Sequence, residues 1–163
     1  MTHVVAVAIA GDVPIFDLAV PCEVFGIART DLVDPWYELR LCVPRPGVTR
    51  IAQGLVVDTC HDLTGLLTAD TVIVLAGDET TENPPAELVA AVRAAHARGA
   101  RVVSFCAGAF VLAAAGLLDG RRATCHWMGA DHLAARHPKV NVDPSVLYVD
   151  NGDVLTSAGT AAS

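Results

Sequence analysis

Residues 101–110 read Arg101-Val102-Val103-Ser104-Phe105-Cys106-Ala107-Gly108-Ala109-Phe110, and the fold is read outward from this stretch. A buried strand is expected to lead straight into a cysteine. Small residues follow, and then an apolar helical stretch from Phe110 to Leu118. A cysteine at such a turn sits over the first backbone amides of the helix. Those unpaired N–H groups and the helix dipole favour a thiolate and can hold a developing oxyanion. Gly108 leaves room where two backbones crowd. This is the layout of a nucleophile elbow with sulfur in place of the serine hydroxyl. The same local pattern fits a small buried hydrophobe at the end of a central strand equally well.

On both sides of the elbow, strands alternate with helices. Val4 to Ala10 and Thr71 to Leu75 are near-continuous apolar runs, as expected of strands buried on both faces. Ile15 to Ala28 carries apolar residues at helical spacing, with Pro21 expected in its first turn. Tyr37 to Val43 alternates as a strand, and Ile51 to Cys60 reads as an extended pair around Gly54. A helix is expected over Pro84 to Arg98, capped by Asn83 and ended by Gly99. After the elbow come a short strand at Arg121 to Cys125 and a helix at His126 to Arg136. Three short strands follow, at Val140 to Val142, Val146 to Val149 and Val154 to Thr156. The expected class is α/β, a sandwich with a mostly parallel sheet, formed as one domain over residues 1–163. Ser157 to Ser163 offers a helix start with no helix after it, so one sheet face is expected to lack its last cover.

The bulk composition narrows the function. The 163 residues are 53% hydrophobic with a net charge of −7, and Lys139 is the sole lysine. Specific DNA binding by this chain itself is therefore not expected, because gripping a phosphate backbone takes clustered cations. No apolar run approaches the ~18 residues of a membrane span, and no secretory leader pattern is seen, so a cytoplasmic protein is expected. The five cysteines are odd in number and widely spaced, which suits reduced thiols and no structural zinc. No metal and no cofactor are expected.

Three residues are candidates for chemistry at the elbow. Cys106 would be the nucleophile. His126, at the end of the short strand after the elbow helix, would act as its base or charge partner. Asp17, in the turn after the first strand, would share a proton or position a ligand. The plain readings are a packing or capping role for His126 beside Trp127, and an N-cap role for Asp17. His61, His96, His132 and His137 are read as surface or cap residues. Gly77, at another strand's carboxyl end, would supply one amide of an oxyanion site and Ala107 the other. Glu23, on the first helix, and Trp127 complete the expected ligand-binding set. Cys106 is also expected to be the most reactive of the five thiols, and its oxidation is a further possible use.

Several segments together resemble a known family. They are the Asp17-Leu18 turn with Pro21 and Glu23-Val24-Phe25, the Cys106-Ala107-Gly108 elbow, and Ala115-Gly116-Leu117-Leu118-Asp119-Gly120-Arg121-Arg122-Ala123-Thr124 leading to His126-Trp127. They look like the PfpI/ThiJ superfamily, related to class I glutamine amidotransferases. Trp36-Tyr37-Glu38, residues 144–153 and residues 155–162 are similar to the amidase-like sensory domains at the N-terminus of AraC-type transcription regulators. The resemblance implies a flavodoxin-like three-layer sandwich with a cysteine nucleophile elbow. It implies a homodimer that senses a small molecule around Cys106, with DNA contacted through a downstream helix-turn-helix domain. The alternative it implies is an isocyanide-hydratase-like or hydrolase enzyme, with Cys106 attacking an electrophilic carbon and Asp17 managing the proton.

Overall fold

The computed structural model describes residues 1–159, so the sequence-predicted turn and helix start at residues 160–163 lie outside the described residues. In chain order the elements are β1 (Val4–Ala10), α1 (Ile15–Gly26), β2 (Glu38–Cys42), β3 (Gly47–Arg50), β4 (Val56–Thr59), β5 (Thr71–Ala76) and α2 (Ala86–Ala97). The second half holds β6 (Arg101–Phe105), α3 (Gly108–Ala114), β7 (Arg122–Ala123), α4 (Ala130–Arg136), β8 (Asn141–Val142), β9 (Tyr148–Asp150) and β10 (Val154–Ser157). Short 3₁₀ turns link several of them.

The main sheet has the order β2-β1-β5-β6-β10-β9. All its neighbours run parallel except β9, which pairs antiparallel with β10. Counted along the chain, the five parallel strands lie in the order 2-1-3-4-5, the flavodoxin-like arrangement. Alternation along the buried strands divides the core in two. One face carries Ala6, Ala8, Val72, Val74 and Val102 against Leu88 and Val92 of α2 and Leu112 of α3. The other carries Val5, Val7, Ile9, Ile73, Leu75 and Phe105, packed by Leu18, Val20 and Phe25 of α1. On that second face Val103 and Leu155 stay half-buried and, with Phe25, Ile73 and Phe105, line a groove of about 430 Å³. No helix among the described residues is long and apolar enough to cross a membrane.

Local readings differ from the sequence at instructive places. Pro21 sits inside α1 rather than in its first turn, where it removes one i→i−4 hydrogen bond. α2 begins after Pro85 with no side-chain cap, so Asn83 does not fill that role. The extended pair forms a β3–β4 hairpin whose first strand starts at Gly47, just after Pro46. α3 starts at Gly108, two residues before the expected helix, because the chain turns at once after the cysteine.

Candidate functional site

β6 carries Cys106 to the carboxyl edge of the sheet, where its amide donates to the Ser157 carbonyl at 3.1 Å. Its φ is +52°, in the left-handed region. For a non-glycine residue that conformation costs about 1–3 kcal/mol and persists only where the surroundings impose it. Two glycines impose it. A Cβ on Gly108 would lie 2.3 Å from the Val74 carbonyl oxygen, so α3 begins pressed against β5. A Cβ on Gly159 would lie 2.7 Å from the Cys106 Cβ. The sequence-predicted elbow is therefore present as a strained, tightly packed turn.

The thiol is in a different state from the one the elbow pattern predicts. Cys106 is 7% exposed. Burial pushes its pKa up to about 11, and the Asp17 carboxylate adds to that shift. The Ala107 N–H, bonded to the sulfur, pulls the other way, and Asp78 pushes it up again. Burial and two carboxylates outweigh one helix-terminal amide, so the sulfur is a thiol at neutral pH. Burial raises Cys125 to about 12 and Cys42 to about 11, while Cys60 is solvent-exposed. These shifts do not favour a thiolate at Cys106, and Cys60 is the exposed thiol.

Cys106 and Ala107 open onto a cavity of about 430 Å³, with Pro14, Asp78, Phe110, Cys125, His126 and His132 among its walls. Its volume falls within the ordinary range for small-molecule sites. Asp17, on the first turn of α1, is 1% exposed and acts on the thiol through its charge. His126 lines the same cavity, but its Nδ1 accepts the Met128 N–H at 3.3 Å, and its ring lies 5.9 Å from that of Trp127. This is the capping and packing role, and no hydrogen bond to Cys106 is seen among the described residues.

Three candidates take other roles. The Gly77 N–H donates to the Ala10 carbonyl at 2.9 Å, so it is not free to be the second oxyanion donor. Beside it, Glu79 Oε1 accepts the Asp12 N–H, so a carboxylate of the chain itself fills the crevice between the ends of β1 and β5. That crevice is the topological switch point, where ligands of such sheets commonly bind. Here the open cavity lies one strand further on, at the end of β6. Glu23 is exposed, pairs with Arg29 at 3.1 Å and is not among the residues that line the cavity. Trp127 is exposed beside the mouth rather than in the wall. Sequence reasoning missed Asp78, Phe110, Cys125 and His132. The rule that selected Gly77, a position just past a strand's carboxyl end, selects Asp78 equally well. His132, read as a surface residue, is held by Glu82 at 2.9 Å with its ring in the cavity wall.

The DJ-1/PfpI family model matches residues 5–163. The chain belongs to the DJ-1/PfpI family. Among its relatives is an uncharacterized protein encoded in the cpoL 5′ region of Streptomyces lividans, 37% identical over 83% of this chain and 96% of that protein. The HTH-type transcriptional regulator CdhR of Pseudomonas aeruginosa is 35% identical over 72% of this chain, and the matched part is 34% of the regulator. An isonitrile hydratase of Pseudomonas putida is 39% identical over 44% of this chain and 30% of the enzyme. The crystal structure of an AraC family transcriptional regulator from Pseudomonas putida superposes with a TM-score of 0.80 at 19% identity, covering 96% of this chain and 84% of that one. That likeness extends to the fold. The chain spans about a third of the length of CdhR.

Proposed function

We propose that this domain is the ligand-sensing module of an AraC-type transcriptional regulator and binds a small metabolite in the Cys106 cavity. The observation that carries the reading is a preformed cavity at the strained elbow, with a buried thiol in its wall. The strained elbow is kept, yet the features that turnover needs are weak. The cysteine stays neutral, His126 is engaged as a cap, and the Gly77 amide is committed to Ala10. A pocket that keeps its shape without activating its nucleophile suits recognition better than attack on carbon. The similarity to about a third of the length of a transcription regulator supports the same reading.

In this reading the polypeptide of the working regulator continues into a helix that packs on the groove lined by Val103, Phe105 and Leu155, and then into a helix-turn-helix domain. Two copies assemble as a homodimer in the cytoplasm, and DNA is contacted through the added domain. The 163 residues alone, at a net charge of −7, are expected to bind DNA no more tightly than about 10⁻⁴ M even at low salt. The reading is tested by screening metabolites for thermal stabilisation of the native chain and of a Phe110→Trp variant with a filled cavity. A ligand that raises the Tm of the native chain alone supports sensing in this cavity. Turnover of an isocyanide or amide by the native chain, abolished in Cys106→Ala, favours the enzyme reading instead.

A further inference from the structure

We propose that Glu82 fixes the width of the Cys106 cavity, and with it the largest ligand that the cavity admits. The inference rests on the binding reading above and adds what limits the size of the ligand. The cavity is assembled from separate parts of the chain. Cys106 and Phe110 belong to the elbow and α3, Asp78 and Thr81 to the turn after β5, and Gly129 and His132 to the segment around α4. α4 is lightly anchored: of its seven residues, Ala130 and Leu133 are the buried ones. A short helix held by so few buried contacts sits at the low-stability end of a fold and shifts easily.

Glu82, in the loop before α2, joins the last two of these parts. Its Oε1 lies 2.9 Å from His132 Nε2, and its Oε2 accepts from Arg136 Nη1 at 3.0 Å. Arg136 Nη2 also donates to the Glu82 carbonyl. His132 and Arg136 are four residues apart, one above the other on α4, so a single loop residue grips one side of the helix. Among the described residues, no other hydrogen bond or ion pair joins residues 78–85 to residues 126–137. The grip reaches the cavity through His132, whose ring lies 5.5 Å from that of Phe110. Without Glu82, the His132 ring and α4 are free to move away from Phe110, and the space over Cys106 widens. The three side chains are partly exposed, so the tie holds α4 by a modest margin and does not lock it.

The test measures size discrimination with two reagents that share one reactive group, iodoacetamide and 5-iodoacetamidofluorescein. Labelling rates at Cys106 are read by mass spectrometry at alkaline pH. They are divided by those at exposed Cys60, which cancels the difference in reagent reactivity. The native chain should favour the small reagent at Cys106 by about ten-fold or more, since the sulfur is 7% exposed and is reached through the cavity. Glu82→Ala and Arg136→Ala should each cut that preference about five-fold, the effect of losing one partly exposed ion pair. Cys42 is fully buried, and burial raises it to about 11 as it does Cys106, so its labelling reports loosening of the whole fold. Asp119→Asn breaks an ion pair with Lys139, apart from these contacts, and should change nothing. An unchanged preference in either alanine variant would overturn the assignment. Equal entry of both reagents into the native chain, a matching rise at Cys42, or the same change in Asp119→Asn would do so too. All of these leave the ligand screen of the binding reading standing. Labelling of Cys106 by neither reagent in any of the chains would overturn both readings.

Discussion

The two ends of the parallel sheet handle charge in opposite ways. At the amino end, Asp153 accepts from both Arg121 and His96, at 2.5 Å and 2.8 Å. Nearby, Asp70 accepts the Val4 N–H at 2.8 Å and His3 meets Thr71 at 3.0 Å. At the carboxyl end, Asp78 lines a cavity that has no lysine or arginine among its described lining residues, and Asp17 raises the pKa of a buried thiol. Paired charges at the first end close the ends of strands and helices. The other end instead carries the cavity around Cys106, which is why that end is read as the binding face.

The largest effect expected from breaking this contrast comes from the wall of the cavity. Phe110 is 1% exposed and belongs to the core under α2 and α3. Phe110→Ala should cost about 3–5 kcal/mol, since it removes a buried ring and leaves a void. Urea unfolding measures it, and a loss below 1 kcal/mol would mean the wall is not part of the core. Gly108→Ala follows, at about 1–3 kcal/mol, because its Cβ would meet the Val74 carbonyl and one backbone would have to shift. The same measurement applies, and an unchanged midpoint would contradict the packed elbow.

Smaller effects sharpen the comparison between the ends. Arg121 and then His96 hold the Asp153 carboxyl well below the usual carboxylate range. Ser145 and then Arg122 lower Asp143 to about 2. A carboxyl with a lowered folded-state pKa stabilises the protein above its unfolded value near 4, and that contribution is lost as pH falls. Stability should therefore decline from about pH 4 towards pH 2, and Arg121→Ala should flatten the decline. At pH 7 Arg121→Ala should cost no more than about 1 kcal/mol, because the pair is partly exposed. Asp78→Asn, at the other end, should not lower the Tm at all. Equal losses from the two variants would erase the distinction drawn here.

Much of the fold could be read from residues alone, because apolar runs such as 4–10 and 71–76 have few ways to be satisfied except inside a parallel sheet. The elbow was legible too, since a strand, a cysteine and a glycine in that order force a tight turn. The state of the thiol was not. It depends on Asp17 arriving from α1 and Asp78 from the end of β5, distances that no local pattern contains. The commitment of the Gly77 amide to Ala10 and the outward face of Glu23 have the same origin. Each is settled by the register between strands or by the rotation of a helix. His132, read as a surface or cap residue, pairs with Glu82 at 2.9 Å and lines the cavity, a contact between α4 and the loop before α2 that no local pattern contains.

The protonation state of Cys106 separates a binding pocket from a nucleophilic site most directly. The pH dependence of its alkylation by iodoacetamide, followed site by site by mass spectrometry, measures this. Exposed Cys60 should be labelled first at pH 7, and Cys106 should reach half its limiting rate only near pH 11. Because the folded pKa is raised, stability should also be steady up to the ordinary thiol value near 8.5 and fall as pH climbs towards 11, less steeply in Cys106→Ala. A Cys106 that is labelled before Cys60 at neutral pH, with a midpoint below 7, would mean the elbow holds a thiolate. It would contradict the reading of this site as a binding pocket with a neutral wall.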